Sequence, residues 1–162
     1  MSTRVERIDG KLAYRGKVLP PGPWHDEPDH VEFEHVGFPC ILHRNMAWCG
    51  YVAVPPGHPW HGKGYDWENG IEAEVHGGIT YAEKCQGAIC HVAKPGEPDD
   101  VWWVGFDCNH HLDLSLYDLI ELNGRDSRID SPAHGWVARY RDIGYVRWQT
   151  KKLAEQAKAV SK

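Results

Sequence analysis

The sequence predicts an α+β fold, a mainly antiparallel sheet in a single domain with long functional loops and a C-terminal amphipathic helix. Three observations lead there. Short segments rich in Val, Ile, Tyr and Trp are separated by Gly- and Pro-containing turns, as in antiparallel strands. One late segment repeats its apolar residues at helical spacing. The 162 residues, 41% hydrophobic and 25% charged, match one globular domain, a size that buries roughly 70% of the surface an unfolded chain exposes.

Taken in order, Asp9-Gly10 predicts a hairpin turn between two short segments. Residues 18–30, VLPPGPWHDEPDH, are rich in Pro and predict an irregular loop. Val31 and Phe33 alternate with Glu32 and Glu34, predicting a short strand. Residues 39–44 and 49–54 form a hairpin around Arg44-Asn45-Met46-Ala47. The stretch 55–70, PPGHPWHGKGYDWENG, is a long loop. Loops of more than about 12 residues in a small domain are usually functional or disordered, and this one's two Trp favour function.

Residues 71–76 alternate, with Ile71, Ala73 and Val75 on one face and Glu72, Glu74 and His76 on the other. Gly77-Gly78 and then Ile79 to Ala82 follow. Residues 87–93 and 101–107 predict two more strands. A helical turn is expected near 116–122. The last element is a helix: Ile143, Val146, Thr150, Leu153, Ala157 and Val160 share a stripe, with Asp142 as N-cap. Trp148 lies off that stripe, so it predicts some contact on the basic face.

Net charge is −5, which gives no global case for binding duplex nucleic acid. Arg139, Arg141, Arg147, Lys151, Lys152, Lys158 and Lys162 face only Asp142 and Glu155 in the last segment, so an acidic body carries a basic tail. Five Cys, an odd number, and a polar N-terminus without an apolar run predict a cytoplasmic protein with reduced thiols. The strongest apolar run, Val101 to Phe106, is too short to span a membrane.

Candidate chemistry concentrates in three stretches. In VWWVGFDCNHHLD, Trp102, Val104 and Phe106 share a core face, and Trp103, Gly105 and Asp107 share the other. His110 and Asp113 then follow Asp107 at steps of three. Carboxylate and imidazole together suit a divalent ion or an acid–base pair. In EAEVHGGIT, Glu74 and His76 precede a Gly-Gly that permits close approach. The loop around His58, Trp60, Tyr65 and Asp66 offers aromatic surface and polar groups to a cleft. Cys40-x2-His43 and Cys85-x4-Cys90-His91 do not match zinc-finger or ribbon spacing.

The strings GYVAVPPGHPWHGKGYD, VHGGITYA, WWVGFDCNHHLD and YRDIGYVRWQTKKLAEQ resemble a family of hypothetical proteins of bacteriophages and prophages. The resemblance covers residues 39–113 and 139–157. Its pattern includes His58, Tyr65-Asp66, His76-Gly77-Gly78, Asp107, His110, Asp113 and Tyr140-Arg141-Asp142. Asn109 and Leu112 depart from it, where the family carries Ala and Gly; Leu112 bears on the turn that presents Asp113. The chain divides accordingly into 1–38, a motif-bearing sheet 39–113, a variable insertion 114–138 and the helix 139–160.

The resemblance implies a phage-encoded role and one shared polar site. The expectation is a metal-dependent hydrolase acting on a nucleotide-like, anionic small molecule. His76, Asp107 and His110 would hold a divalent metal that lowers the pKa of bound water. Glu74 or Asp113 would be the general base. His58, Trp60, Tyr65, Asp66, Gly77, Gly78 and Trp103 would line the substrate cleft. Without metal, His76 and Asp107 would act as an acid–base pair. The alternative is a non-catalytic protein that sequesters a host signalling nucleotide or inhibits a host defence protein.

Overall fold

In the computed structural model, residues 5–91, 93–121 and 138–161 are described. Most of the segment 114–138 therefore lies outside the described residues. A three-stranded antiparallel sheet opens the chain: β1 Val5–Ile8, β2 Lys11–Tyr14 and β3 Lys17–Val18. The β1–β2 turn uses Asp9 and Gly10, both at positive φ (52° and 80°), as a two-residue hairpin of matching twist demands. The Pro-rich loop holds a single 3-10 turn, Pro23–His25.

The main sheet contains β4 His30–His35, β5 Phe38–Arg44, β6 Trp48–Val54, β7 Tyr81–Lys84 and β8 Trp102–Asp107. Its order is β4-β5-β6-β8-β7, every neighbour antiparallel. Among the described residues two α-helices complete the fold: α1 Leu116–Glu121 is about one turn and a half, while α2 Ile143–Val160, 18 residues long, packs across the sheet. The α+β expectation thus holds.

One sheet face packs under α2. Leu42, Val52, Val104 and Phe106 meet Val146, Leu153, Ala154 and Ala157 there. Gly50 permits the close approach, because a Cβ at that position would sit 2.1 Å from Thr150 Oγ1. Asp142 caps α2 by accepting from the Tyr145 N–H at 2.8 Å, as expected. The opposite face carries Ile41, Tyr51, Ala53 and Trp103, covered by Ile89 and Val101 of the β7–β8 connection. A third cluster joins Leu12, Leu19 and Trp24 to Leu114, Leu116 and Leu119 of the α1 region.

A buried polar node ties these layers together. Arg44, at the end of β5, bonds Glu27 at 2.8 Å, Asp29 at 2.8 Å and the Trp24 carbonyl at 3.0 Å. Glu27 also accepts from Tyr140 and from the Ile143 N–H at the start of α2.

Three expectations need correction. Residues 71–76 are not a strand; they run beside α2, whose glutamines replace a strand partner. Gln156 accepts from the Glu74 N–H at 2.7 Å and donates to the Glu74 carbonyl at 2.8 Å, and Gln149 accepts from the His76 N–H at 3.0 Å. The alternation was real, but it faces a helix. The described residues of 87–93 form no strand either, only the bridge Gln86–Ile89 across a tight turn. The ends of that turn are joined by a Cys85–Cys90 disulfide with Cα atoms 4.6 Å apart, close to the spacing of a directly opposed non-hydrogen-bonded pair. This replaces the expectation of reduced thiols throughout; Cys40, Cys49 and Cys108 are free and buried. No described helix is long and apolar enough to cross a membrane.

Candidate functional site

The site is built where β8 ends. Asp107 leaves the sheet and closes a turn by accepting from the Asn109 N–H at 3.0 Å. Its other oxygen accepts from Thr80 Oγ1 at 2.8 Å. Thr80 is itself held to β8 through its N–H and the Gly105 carbonyl at 2.9 Å. The chain then turns through His110 to Asp113, whose N–H donates to the His110 carbonyl at 3.0 Å. Leu112 takes a φ of 74° to complete the turn. That is the left-handed region where glycine would sit without strain, so the departure noted at this position falls on a backbone feature.

His110 Nε2 lies 3.2 Å from Asp107 Oδ1. The contact is an ion pair by distance when His110 is protonated, but it is angled away from a hydrogen bond, and Nε2 is buried without an aligned partner. The ring lies against Gly77, where a Cβ would come within 2.2 Å of Nε2. Gly77 also has a φ of 68°, so glycine serves both the turn and the close approach. The adjacent turn closes with the Gly78 N–H on the Val75 carbonyl at 2.9 Å.

Behind this pair stands a second one. His76 Nε2 is 2.7 Å from Asp113 Oδ2, and its Nδ1 is 2.7 Å from the Tyr145 hydroxyl. Arg141 Nε donates to Asp113 Oδ1 at 2.9 Å, and the His110 N–H donates to Oδ2 at 3.0 Å. Burial would raise the Asp113 pKa, but bonds from His76, Arg141 and the His110 amide outweigh it and hold the carboxyl below its ordinary value. An ionised carboxylate only accepts. His76 therefore carries its proton on Nε2 and, when neutral, accepts from Tyr145 at Nδ1. The two imidazoles are 5.9 Å apart between centroids.

A cleft of about 420 Å³ opens in front of His110 and Asp107. Its other polar walls include Asn45, Asn109, Thr80, Tyr51 and Tyr81. Burial raises the Tyr51 and Tyr81 pKa values, and pushes the Cys49 thiol up to about 11. These groups stay protonated near neutrality and act as neutral donors, not nucleophiles. Asp107 is the one carboxylate on the lining, which includes neither Lys nor Arg.

The structure brings together His76, Gly77, Asp107, His110 and Asp113, but in a different pairing from the one expected. Asp107 partners His110, and His76 partners Asp113. Both nitrogens of His76 are committed, so His76, Asp107 and His110 do not present a shared set of ligand atoms. Among the described residues no group of three His, Cys, Asp or Glu is placed to hold an ion.

The remaining candidates lie elsewhere. His58 is buried; its Nε2 donates to the Ala157 carbonyl at 2.8 Å and its Nδ1 accepts from the Trp60 N–H at 3.0 Å. It pins the loop to α2, and Trp60 belongs to the core. Tyr65, Asp66 and Glu74 border a separate open groove with Trp67, so Glu74 is no base for the cleft. Trp103 shares a sheet face with Asp107 as alternation requires, yet is wholly buried and lines another groove. Thr80, Arg141 and Tyr145 were missed as partners. Arg141 and Tyr145 had a signal, since both lie in the YRDIGYV string at the start of the helix. Trp148 does make its contact, edge-on to Tyr145 at 5.9 Å between centroids.

Comparison with protein-family models, with curated proteins and with solved structures finds no match.

Proposed function

We propose that the protein is a hydrolase that activates water by general acid–base catalysis in the Asp107–His110 cleft. The observation that carries this reading is the orientation of His110. Its Nε2 is buried against Asp107, while the imidazole still lines an open polar cleft. Nδ1 is the nitrogen left to meet a ligand. In this reading Nδ1 takes a proton from water as the water oxygen attacks an electrophilic carbon. The resulting imidazolium is stabilised by Asp107 and then returns the proton to the leaving group. Asn45, whose Oδ1 accepts from the Met46 N–H at 2.6 Å, keeps its NH2 as a donor for developing negative charge. The protonated state of the Cys49 thiol supports direct attack by water over a thioester route.

The lining suits an uncharged or cationic ester or amide better than a phosphate. A nucleotide-like substrate would have to present its base or sugar here. A phage-encoded role remains part of the proposal through the family resemblance. Non-catalytic capture of a host nucleotide or protein is the competing reading, and it predicts binding without turnover.

The test is hydrolysis of p-nitrophenyl acetate, p-nitrophenyl phosphate and a p-nitroanilide by wild type, His110→Ala, Asp107→Asn and, as a control, His61→Ala, a histidine outside the cleft whose Nε2 lies 2.9 Å from the Asp100 carbonyl, each with and without chelator. Acetate or anilide turnover should fall about 100-fold or more in His110→Ala and survive in His61→Ala. Equal rates in wild type and His110→Ala, or no turnover of any probe, would sink the proposal. Loss of activity on chelation would instead favour the divalent-metal form.

A further inference from the structure

A second cavity lies on the sheet face away from α2 and shares no lining residue with the Asp107–His110 cleft. It is a groove of about 650 Å³ between β4–β5 and the segment after the Cys85–Cys90 disulfide. A smaller space of about 200 Å³ continues it, sharing Glu34, Pro39, His91 and Glu97. The floor is apolar at Pro39, Ile41 and Trp103.

Two buried polar atoms here have no partner: Trp103 Nε1 and His91 Nδ1. Trp103 is 0% exposed, and buried Trp N–H groups usually find an acceptor. Leaving such a donor unsatisfied costs about 1–3 kcal/mol. The two rings meet edge to face with centroids 5.7 Å apart, and both residues line the groove. An indole N–H only donates, so the ligand must bring an acceptor. In the tautomer with its proton on Nε2, His91 Nδ1 accepts, and a donor on the ligand then satisfies it. Glu32, Glu34 and Glu97 on the lining outnumber Lys94, which favours a cation.

We propose that this groove binds a small ammonium compound with a carbonyl oxygen beside an apolar group, the chemistry of an apolar amino-acid amide or a peptide N-terminus. The carbonyl accepts from Trp103 Nε1–H. The ammonium donates to His91 Nδ1 and is held by the carboxylates. The apolar group rests on Pro39 and Ile41.

Leucinamide is the probe, followed by the indole ¹H–¹⁵N signal of Trp103, assigned through Trp103→Phe. Titration should move that signal saturably and leave the other indole signals in place. N-acetyl-leucinamide, which lacks the cation, should bind at least tenfold more weakly. Should Trp103→Phe not fold, the surface variant Glu34→Gln and the ring-preserving His91→Phe provide the same test: each should weaken leucinamide binding at least threefold. A Trp103 signal unmoved by millimolar leucinamide overturns the proposal. So does equal binding of both probes, or a shift unaffected by Glu34→Gln and His91→Phe; a bridging water alone would then satisfy the two atoms.

Discussion

Gly77 and Asp113 show how single residues set the cleft's chemistry. A methyl group at Gly77 would collide with the far end of the His110 side chain, not with backbone, so the ring can swing away. Positive φ adds strain of about 1–2 kcal/mol for an L side chain. Gly77→Ala is therefore expected to lower stability modestly while removing most activity, because the displaced His110 leaves Asp107. Melting temperature and p-nitrophenyl acetate turnover, measured together, check this; parallel small losses would count against it. Asp113 behaves differently. Its folded-state pKa lies below the ordinary value, near 3.9 unfolded. Its contribution is thus complete above about pH 4 and is lost as pH falls through the lower folded value. Asp113→Asn should cost about 2–3 kcal/mol at pH 7, by leaving Arg141 and His76 without their carboxylate. The gap between variant and wild type should narrow below pH 4, as denaturant midpoints across pH 2–7 would reveal.

Among the elements, the run 71–76 is the most instructive. Its alternation is that of a strand, but β6 is already flanked by β5 and β8, and β8 by β7. The open sheet edges belong to β4 and β7, and the run pairs with neither. Gln156 instead offers an acceptor and a donor from one amide, matching the two backbone groups of Glu74. Periodicity reports which side chains face inward; it does not report what supplies the backbone hydrogen bonds. Gln156→Ala should expose both groups and cost about 1–2 kcal/mol. The Glu74 amide should then exchange with solvent faster, while α2 amides keep their protection; unchanged exchange at Glu74 would disprove the pairing. The hairpins β1–β2 and β5–β6, and α2 with its Asp142 cap, were legible because their signals are local. The exchanged pairing of His76 and Asp107 was not, since it depends on how residues 37 positions apart meet. Spacing did place Asp107, His110 and Asp113 in one turn. It could not tell that His58 would spend both nitrogens on anchoring the loop.

For the molecule as a whole, the Arg44 node decides whether the layers act together. Arg44 and Glu27 have side chains 0% and 6% exposed. Between them they contact the Pro-rich loop, the end of β5, Tyr140 and the first turn of α2. The site depends on that last connection, because Arg141 and Tyr145 flank it and reach Asp113 and His76. Replacing Arg44 with Met leaves Glu27 buried without its cation, at a cost of about 3–5 kcal/mol. Glu27→Gln keeps hydrogen-bonding capacity but leaves the guanidinium with Asp29 as its remaining carboxylate. If the two act as one unit, the double variant should be less destabilised than the sum of the singles by about 1–3 kcal/mol. Additive losses in chemical denaturation would mean that the two charges are anchored independently, Arg44 by Asp29 and the Trp24 carbonyl, Glu27 by Tyr140 and the α2 N-terminus. The distinction reaches the cleft. A coupled node transmits the loss of Arg44 to the Tyr145–His76 bond, and the double variant should then recover part of the turnover that Arg44→Met loses.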